Sequence, residues 1–127
     1  MRQLQRILGM LLCGGLLAMT IGGCGAASSP PNTITMGAAV FSGNTSVTIK
    51  VGQAVHFNNP SGSIHELVVG MNALPIPQAG APAVLNVAAG DTFNPGKNQT
   101  ITFAVAGTYA ITCIVHPPMQ ATVKVTP

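Results

Sequence analysis

The chain has 127 residues; 47% are hydrophobic, only 6% are charged, and the formal net charge is +3 with a pI near 9.1. So apolar a composition excludes a charge-driven disordered chain, and five Lys and Arg side chains cannot build the dense basic stripe of a nucleic-acid binder. The length fits one domain.

Residues 1–23 read as an export signal. Arg2 and Arg6 form a positive start, and Ile7 to Ile21 is an uncharged, mostly apolar run. A spanning helix needs about 20 such residues, so this run is short for a permanent anchor. It ends in Ile21-Gly22-Gly23-Cys24, which resembles a bacterial lipobox. The resemblance implies cleavage before Cys24 and lipid attachment to it; an ordinary secretory cleavage nearby is the alternative. Residues 24–32 (CGAASSPPN) are small, polar and Pro-containing, and read as a lipidated Cys with a flexible tether. The domain is expected over 33–127.

Six of the nine Leu lie in the first 23 residues, whereas the remainder holds twelve Val and seven Ile. That β-branched excess favours strands. Period-two alternation agrees, as expected for strands with one buried face. Val47, Ile49 and Val51 share one face, and Val55 and Phe57 flank an outward His56. Another candidate strand runs from His65 to Val69. Ile101, Phe103 and Val105 alternate with threonines; Tyr109, Ile111 and Cys113 follow, then Ala121, Val123 and Val125. Turn signals at Gly52-Gln53, 58–62, 94–97 and Ala106-Gly107 separate these runs. The expectation is an all-β Greek-key sandwich of about seven or eight strands. Gly70 to Pro82, with Pro75, Pro77 and Pro82, is expected to be irregular, and Met36 and Met71 to be packing residues.

One segment carries chemistry: Cys113-Ile114-Val115-His116-Pro117-Pro118-Met119. It places a thiol, an imidazole and a thioether between two strand patterns, where a short loop can aim all three at one point. Cys13 leaves with the signal and Cys24 is assigned to lipid, so Cys113 is a lone thiol in an oxidising compartment and requires a use other than an internal disulfide. Thiolate and thioether donors suit copper, and two His, one Cys and a weak axial Met describe a blue-copper electron-transfer site. The second His must come from elsewhere; His65, where a loop enters a strand, is a better candidate than His56.

These residues carry a resemblance. The stretch 33–127 is similar to the cupredoxins, the type 1 blue copper proteins of plastocyanin and amicyanin type. It rests on Val47 to Gly52, Val55 to Asn59, the His65 segment, Gly107 to Cys113 and the Cys-x2-His-x2-Met spacing. The resemblance implies one copper ion, cycling between Cu(I) and Cu(II), with His65, Cys113 and His116 as equatorial ligands and Met119 as axial ligand. It implies electron transfer rather than enzymatic catalysis, with electrons entering through His116 beside a docking patch of Pro117, Pro118 and the Ala73 to Pro77 segment. Redox partners such as c-type cytochromes or membrane electron-transfer complexes follow, for a monomer tethered on the periplasmic or extracellular face of a bacterial membrane.

Two positions depart from the family pattern. Val115 replaces a common Pro and keeps its N–H, which is expected to donate to the Cys113 sulfur. Glu66 replaces an Asn that ties the ligand loops together; its own N–H could reach the sulfur, and its carboxylate could favour Cu(II). Other readings stand beside this one: Cys113 as a buried structural thiol, His65 as a strand-edge residue, Met119 as core filler, or the whole chain as a copper chaperone or storage lipoprotein. Zinc is disfavoured because the segment lacks the usual Cys and His pairs. A Cys–His nucleophile has no evident orienting partner.

Overall fold

The computed structural model describes residues 30–127. The signal segment, Cys24 and the tether as far as Ser29 lie outside the described residues. No helix among the described residues is long and apolar enough to cross a membrane.

Among the described residues ten strands form in order: β1 (Thr33–Met36), β2 (Phe41–Ser42), β3 (Ser46–Lys50), β4 (Ala54–Asn58), β5 (His65–Met71), β6 (Leu74–Pro75), β7 (Asp91–Phe93), β8 (Asn98–Thr102), β9 (Gly107–Cys113) and β10 (Gln120–Thr126). One sheet has the order β2-β1-β4-β8. The other runs β3-β10-β9-β5-β6, with β7 also pairing β5. Two pairs are parallel, β1 with β4 and β3 with β10, so the chain crosses repeatedly between sheets. The expected sandwich is present, with more strands because β2, β6 and β7 are two or three residues long.

Period two decides what lies between the sheets. Val47 and Ile49 of β3, Val55 and Phe57 of β4, Tyr109, Ile111 and Cys113 of β9, and Ala121, Val123 and Val125 of β10 are all buried. Burying a Val, Ile or Phe side chain contributes roughly 1.5–3 kcal/mol each. The pattern fails where a strand ends: Val51 and Val105 continue the alternation but sit in turns and are about half exposed. Met36 is fully buried as expected, whereas Met71 is half exposed, since β5 runs past the sheet edge into a hairpin.

That hairpin corrects the irregular reading for 70–75, whereas 76–82 holds no strand or helix, as expected. Gly70 and Met71 pair with Pro75 and Leu74 around Asn72 and Ala73, which both take positive φ (53° and 62°). Such a two-residue turn matches the twist of its strands. Gly70 is required there, because a Cβ would collide with the Leu74 carbonyl oxygen. Beyond the hairpin, 82–90 turns back over the sheet, and Leu85 is fully buried with its carbonyl accepting from Val69 N–H. At the other end, Thr33 N–H donates to the Pro30 carbonyl and His56 N–H to Asn32, so 30–32 are joined to the domain.

Candidate metal centre

Strand register builds one end of the sandwich. β5 and β9 are antiparallel neighbours with Leu67 opposite Cys113. His65 lies two residues before Leu67, so it shares the face of Leu67 and Cys113 at the strand's first position. Cys113 is the last residue of β9. Residues 114–119 then close a loop, and β10 returns with Gln120 opposite Thr112. Met119 N–H donates to the His116 carbonyl at 3.0 Å, a tight turn that carries both Pro117 and Pro118. Each proline has a fixed φ, which limits the shapes the loop can adopt.

The geometry brings His65, Cys113 and His116 together, with their donor atoms all within 4.8 Å of one another. Cys113 Sγ lies 3.9 Å from His65 Nδ1 and 3.7 Å from His116 Nδ1. The two imidazole rings are tilted by 51° with centroids 4.8 Å apart. Cys113 is buried and free. Met119, six residues further on, is fully buried in the same core cluster, and its carbonyl accepts from Cys113 N–H at 3.4 Å. His116 is partly exposed, and Val115, Pro117 and Pro118 are exposed around it. His56, by contrast, is exposed on β4 and bonded to Thr100.

Buried, nitrogen-bearing and close to a second imidazole, His65 has its pKa held below the ordinary 6.5. Loss of solvation is the main cause and the charge of His116 the second, against a smaller opposing contribution from the Gly37 backbone. A neutral imidazole is the form that offers a lone pair to a metal. A buried thiol, two imidazole nitrogens aimed at it and a thioether in the adjoining core make a donor set that fits copper.

Among the described residues the sulfur has one amide donor: Glu66 N–H, at 3.4 Å. Val115 N–H makes no such bond, and this corrects the sequence expectation. The reason is a second contact. Ile114 N–H donates to the Glu66 carbonyl at 2.9 Å, which draws the chain toward β5, after which Val115 turns outward to the surface. Glu66 therefore ties the two ligand segments together through its backbone on both sides. Its carboxylate forms no ion pair among the described residues, where Lys97 and Asp91 make the one that is present.

Residues that sequence reasoning missed support this frame. Thr112 points away from the core yet is fully buried, because the β5–β6 turn covers it. Its hydroxyl accepts from Ala73 N–H at 3.1 Å and Gln120 Nε2 at 2.7 Å, and donates to the Met119 carbonyl at 3.1 Å. Gln120 also reaches the Pro117 carbonyl at 3.0 Å. The hairpin turn, the ligand loop and β10 are thus joined at one hydroxyl. Asn59, fully buried after β4, donates to the carbonyls of Phe93, the last residue of β7, and of Asn94 just beyond it, and so pins the two sheets together at this end. In sequence, 58–62 signals only a turn.

Comparison with known proteins agrees with this site. A family model described as copper binding proteins of the plastocyanin/azurin family matches residues 31–126. Among solved structures, the chain is similar to a reduced amicyanin variant, at 24% identity and a TM-score of 0.55 over 74% of this chain and 80% of that one. It is likewise similar to a Cu(I) form of another amicyanin variant, at 25% identity and a TM-score of 0.53, covering 79% and 88%. No curated protein matches the chain by sequence.

Proposed function

The chain belongs to the plastocyanin/azurin family of copper-binding proteins, and on that premise we propose that it carries single electrons between redox partners outside the cytoplasm, held to a membrane by a lipid on Cys24. Convergence of one donor atom each from His65, Cys113 and His116 within 4.8 Å of one another, on a fold shared with amicyanin, is the observation that carries the reading. One copper ion is the cofactor this donor set takes, and when bound it supplies one-electron chemistry between Cu(II) and Cu(I).

The chain's residues set the conditions for that chemistry. His65 and Cys113 sit at strand ends fixed by the β5–β9 ladder, and His116 and Met119 in a loop closed by Gln120 against Thr112. Ligands held this way resist rearrangement, which favours fast electron transfer. Glu66 N–H stabilises electron density on the sulfur. The partly exposed His116 edge, rimmed by Val115, Pro117 and Pro118, provides the entry point and an apolar docking rim. Leu74 and Ile76 of the β5–β6 hairpin are also exposed and are candidates for the same kind of contact. Its partners would be redox proteins such as c-type cytochromes or membrane complexes, met by a monomer. Complete burial of Cys113 and His65 supports a carrier over a copper chaperone or store, which needs exchangeable ligands.

Titrating the purified chain with Cu(II) tests this. A strong blue thiolate-to-copper band that saturates at one copper per chain is expected. A pale solution without that band would refute it.

A further inference from the structure

The contacts of Asn59 and Ser61 fix the positions of protons that are not themselves visible. The Asn59 side chain approaches three carbonyl oxygens through one atom: Ser63 at 2.8 Å, Phe93 at 2.9 Å and Asn94 at 3.1 Å. Only the amide NH2 can serve three acceptors, so the amide oxygen faces the other way. That oxygen accepts from Ser61 N–H at 3.1 Å and from the Ser61 hydroxyl at 2.6 Å. The hydroxyl has a single proton, and Asn59 takes it. What remains on Ser61 Oγ are lone pairs, which face Ser63 N–H at 3.3 Å and His65 Nε2 at 3.2 Å.

A hydroxyl whose proton is already committed can bond the imidazole only as an acceptor. Nε2 must therefore carry the proton, which leaves the lone pair on Nδ1, the atom 3.9 Å from Cys113 Sγ. His56 shows why this is not a general property of a His beside a hydroxyl. Its Nδ1 lies 2.9 Å from Thr100 Oγ1, but that hydroxyl has no committed proton and either direction fits.

We propose that Ser61, backed by Asn59, is a positioning residue for the metal centre: it fixes His65 as the Nε2–H tautomer and aims Nδ1 at Cys113 before any ion arrives. The use made of Nδ1 rests on the copper reading above; the tautomer does not. His65 is fully buried, so its Nε2–H has no water to replace Ser61. In the other tautomer, two lone pairs would face each other across 3.2 Å. Partners of this kind behind a metal-binding imidazole are typically worth about 10–100-fold in metal affinity. Asn59 adds rigidity, because the same amide spans the ends of β4 and β7. The site is then preorganised, and little ring motion accompanies metal capture.

The test uses the full chain, 15N-labelled and metal-free. Histidine NMR should show His65 protonated on Nε2, with slow exchange of that proton against solvent. Ser61→Ala should speed the exchange about tenfold or more and weaken Cu(I) binding, measured by chelator competition, by about 10–100-fold. Ser61→Thr, which restores a hydroxyl, should recover both. A wild-type His65 protonated on Nδ1 would overturn the proposal, and needs no variant to fold. So would a folded Ser61→Ala with exchange and Cu(I) affinity both within about twofold of wild type. A wild-type chain with the Nε2–H tautomer but no Cu(I) binding would refute the copper reading while upholding the proton assignment.

Discussion

Glu66 meets Cys113 through its backbone: the Glu66 amide donates to the sulfur at 3.4 Å while the Glu66 carbonyl receives Ile114 N–H at 2.9 Å. The side chain at position 66 is free to vary without disturbing either bond. Glu66→Gln should therefore shift the reduction potential by less than about 60 mV, the size of a tenfold change for one electron. Val115→Pro should likewise leave the energy of the thiolate-to-copper band unchanged, because the N–H it removes does not touch the sulfur. Voltammetry and absorption spectra of the two variants check this. A large shift in the first would give the carboxylate a role, and a large shift in the second would restore Val115 as the sulfur's donor.

Thr112 joins the hairpin turn to the ligand loop through one hydroxyl. Thr112→Val keeps the shape but leaves Ala73 N–H, Gln120 and the Met119 carbonyl short of a partner. Stranding buried polar groups costs about 1–3 kcal/mol, so the urea midpoint should fall with an unchanged slope. A loss under about 0.5 kcal/mol, typical of an uninvolved surface change, would remove Thr112 from the frame.

The lowered pKa of His65 sets a pH dependence for the metal-free protein. In the unfolded chain this imidazole takes up a proton near 6.5, whereas in the fold it resists protonation to lower pH, chiefly through burial. Its contribution to stability is complete above 6.5 and is lost as pH falls from there toward the folded value. Denaturation midpoints of metal-free protein should decline over that window, and His65→Gln should flatten the decline. An unchanged slope in the variant would assign the effect to another group.

Residues 24–127 hold three lysines against one Asp and one Glu, a net charge of +1. Lys97 is further occupied by Asp91 at 3.0 Å. Steering by so small a charge is weak. Raising ionic strength from 0.01 to 0.15 M shortens the screening length from about 30 to 8 Å, yet electron exchange with a charged mediator should change by less than about threefold. Stopped-flow measurements across that range decide it, and a steep fall with salt would reveal a charged docking patch.

Much of the site was legible in the sequence because it is local. Cys113, His116 and Met119 lie in one loop, and their spacing alone brings the donor types together. His65 could be chosen because it sits where a loop enters a strand pattern; that this strand runs beside the Cys113 strand is visible only in the fold. The faces of β3, β4, β9 and β10 followed from period two. What could not be read depends on contacts between distant segments. Thr112 alternates outward, and only the folded hairpin at Ala73 buries it. Leu85 enters the core from a turn with no periodic signal. Val115 and Glu66 offered the sulfur competing amides, and the choice between them is made by how the ligand loop crosses β5. Asn59 and Ser61 look like turn residues, since their role requires His65, Phe93 and Asn94 to surround them.

Everything proposed for this site turns on a single copper held by His65, Cys113 and His116 and used to pass one electron. Spectroelectrochemical titration of the copper-loaded chain tests it most directly. A strong blue band is expected that bleaches on reduction and returns on oxidation, follows a one-electron curve, and is absent from Cys113→Ser. A chain whose copper gives no thiolate band, or whose band does not return after a reduction cycle, would contradict it.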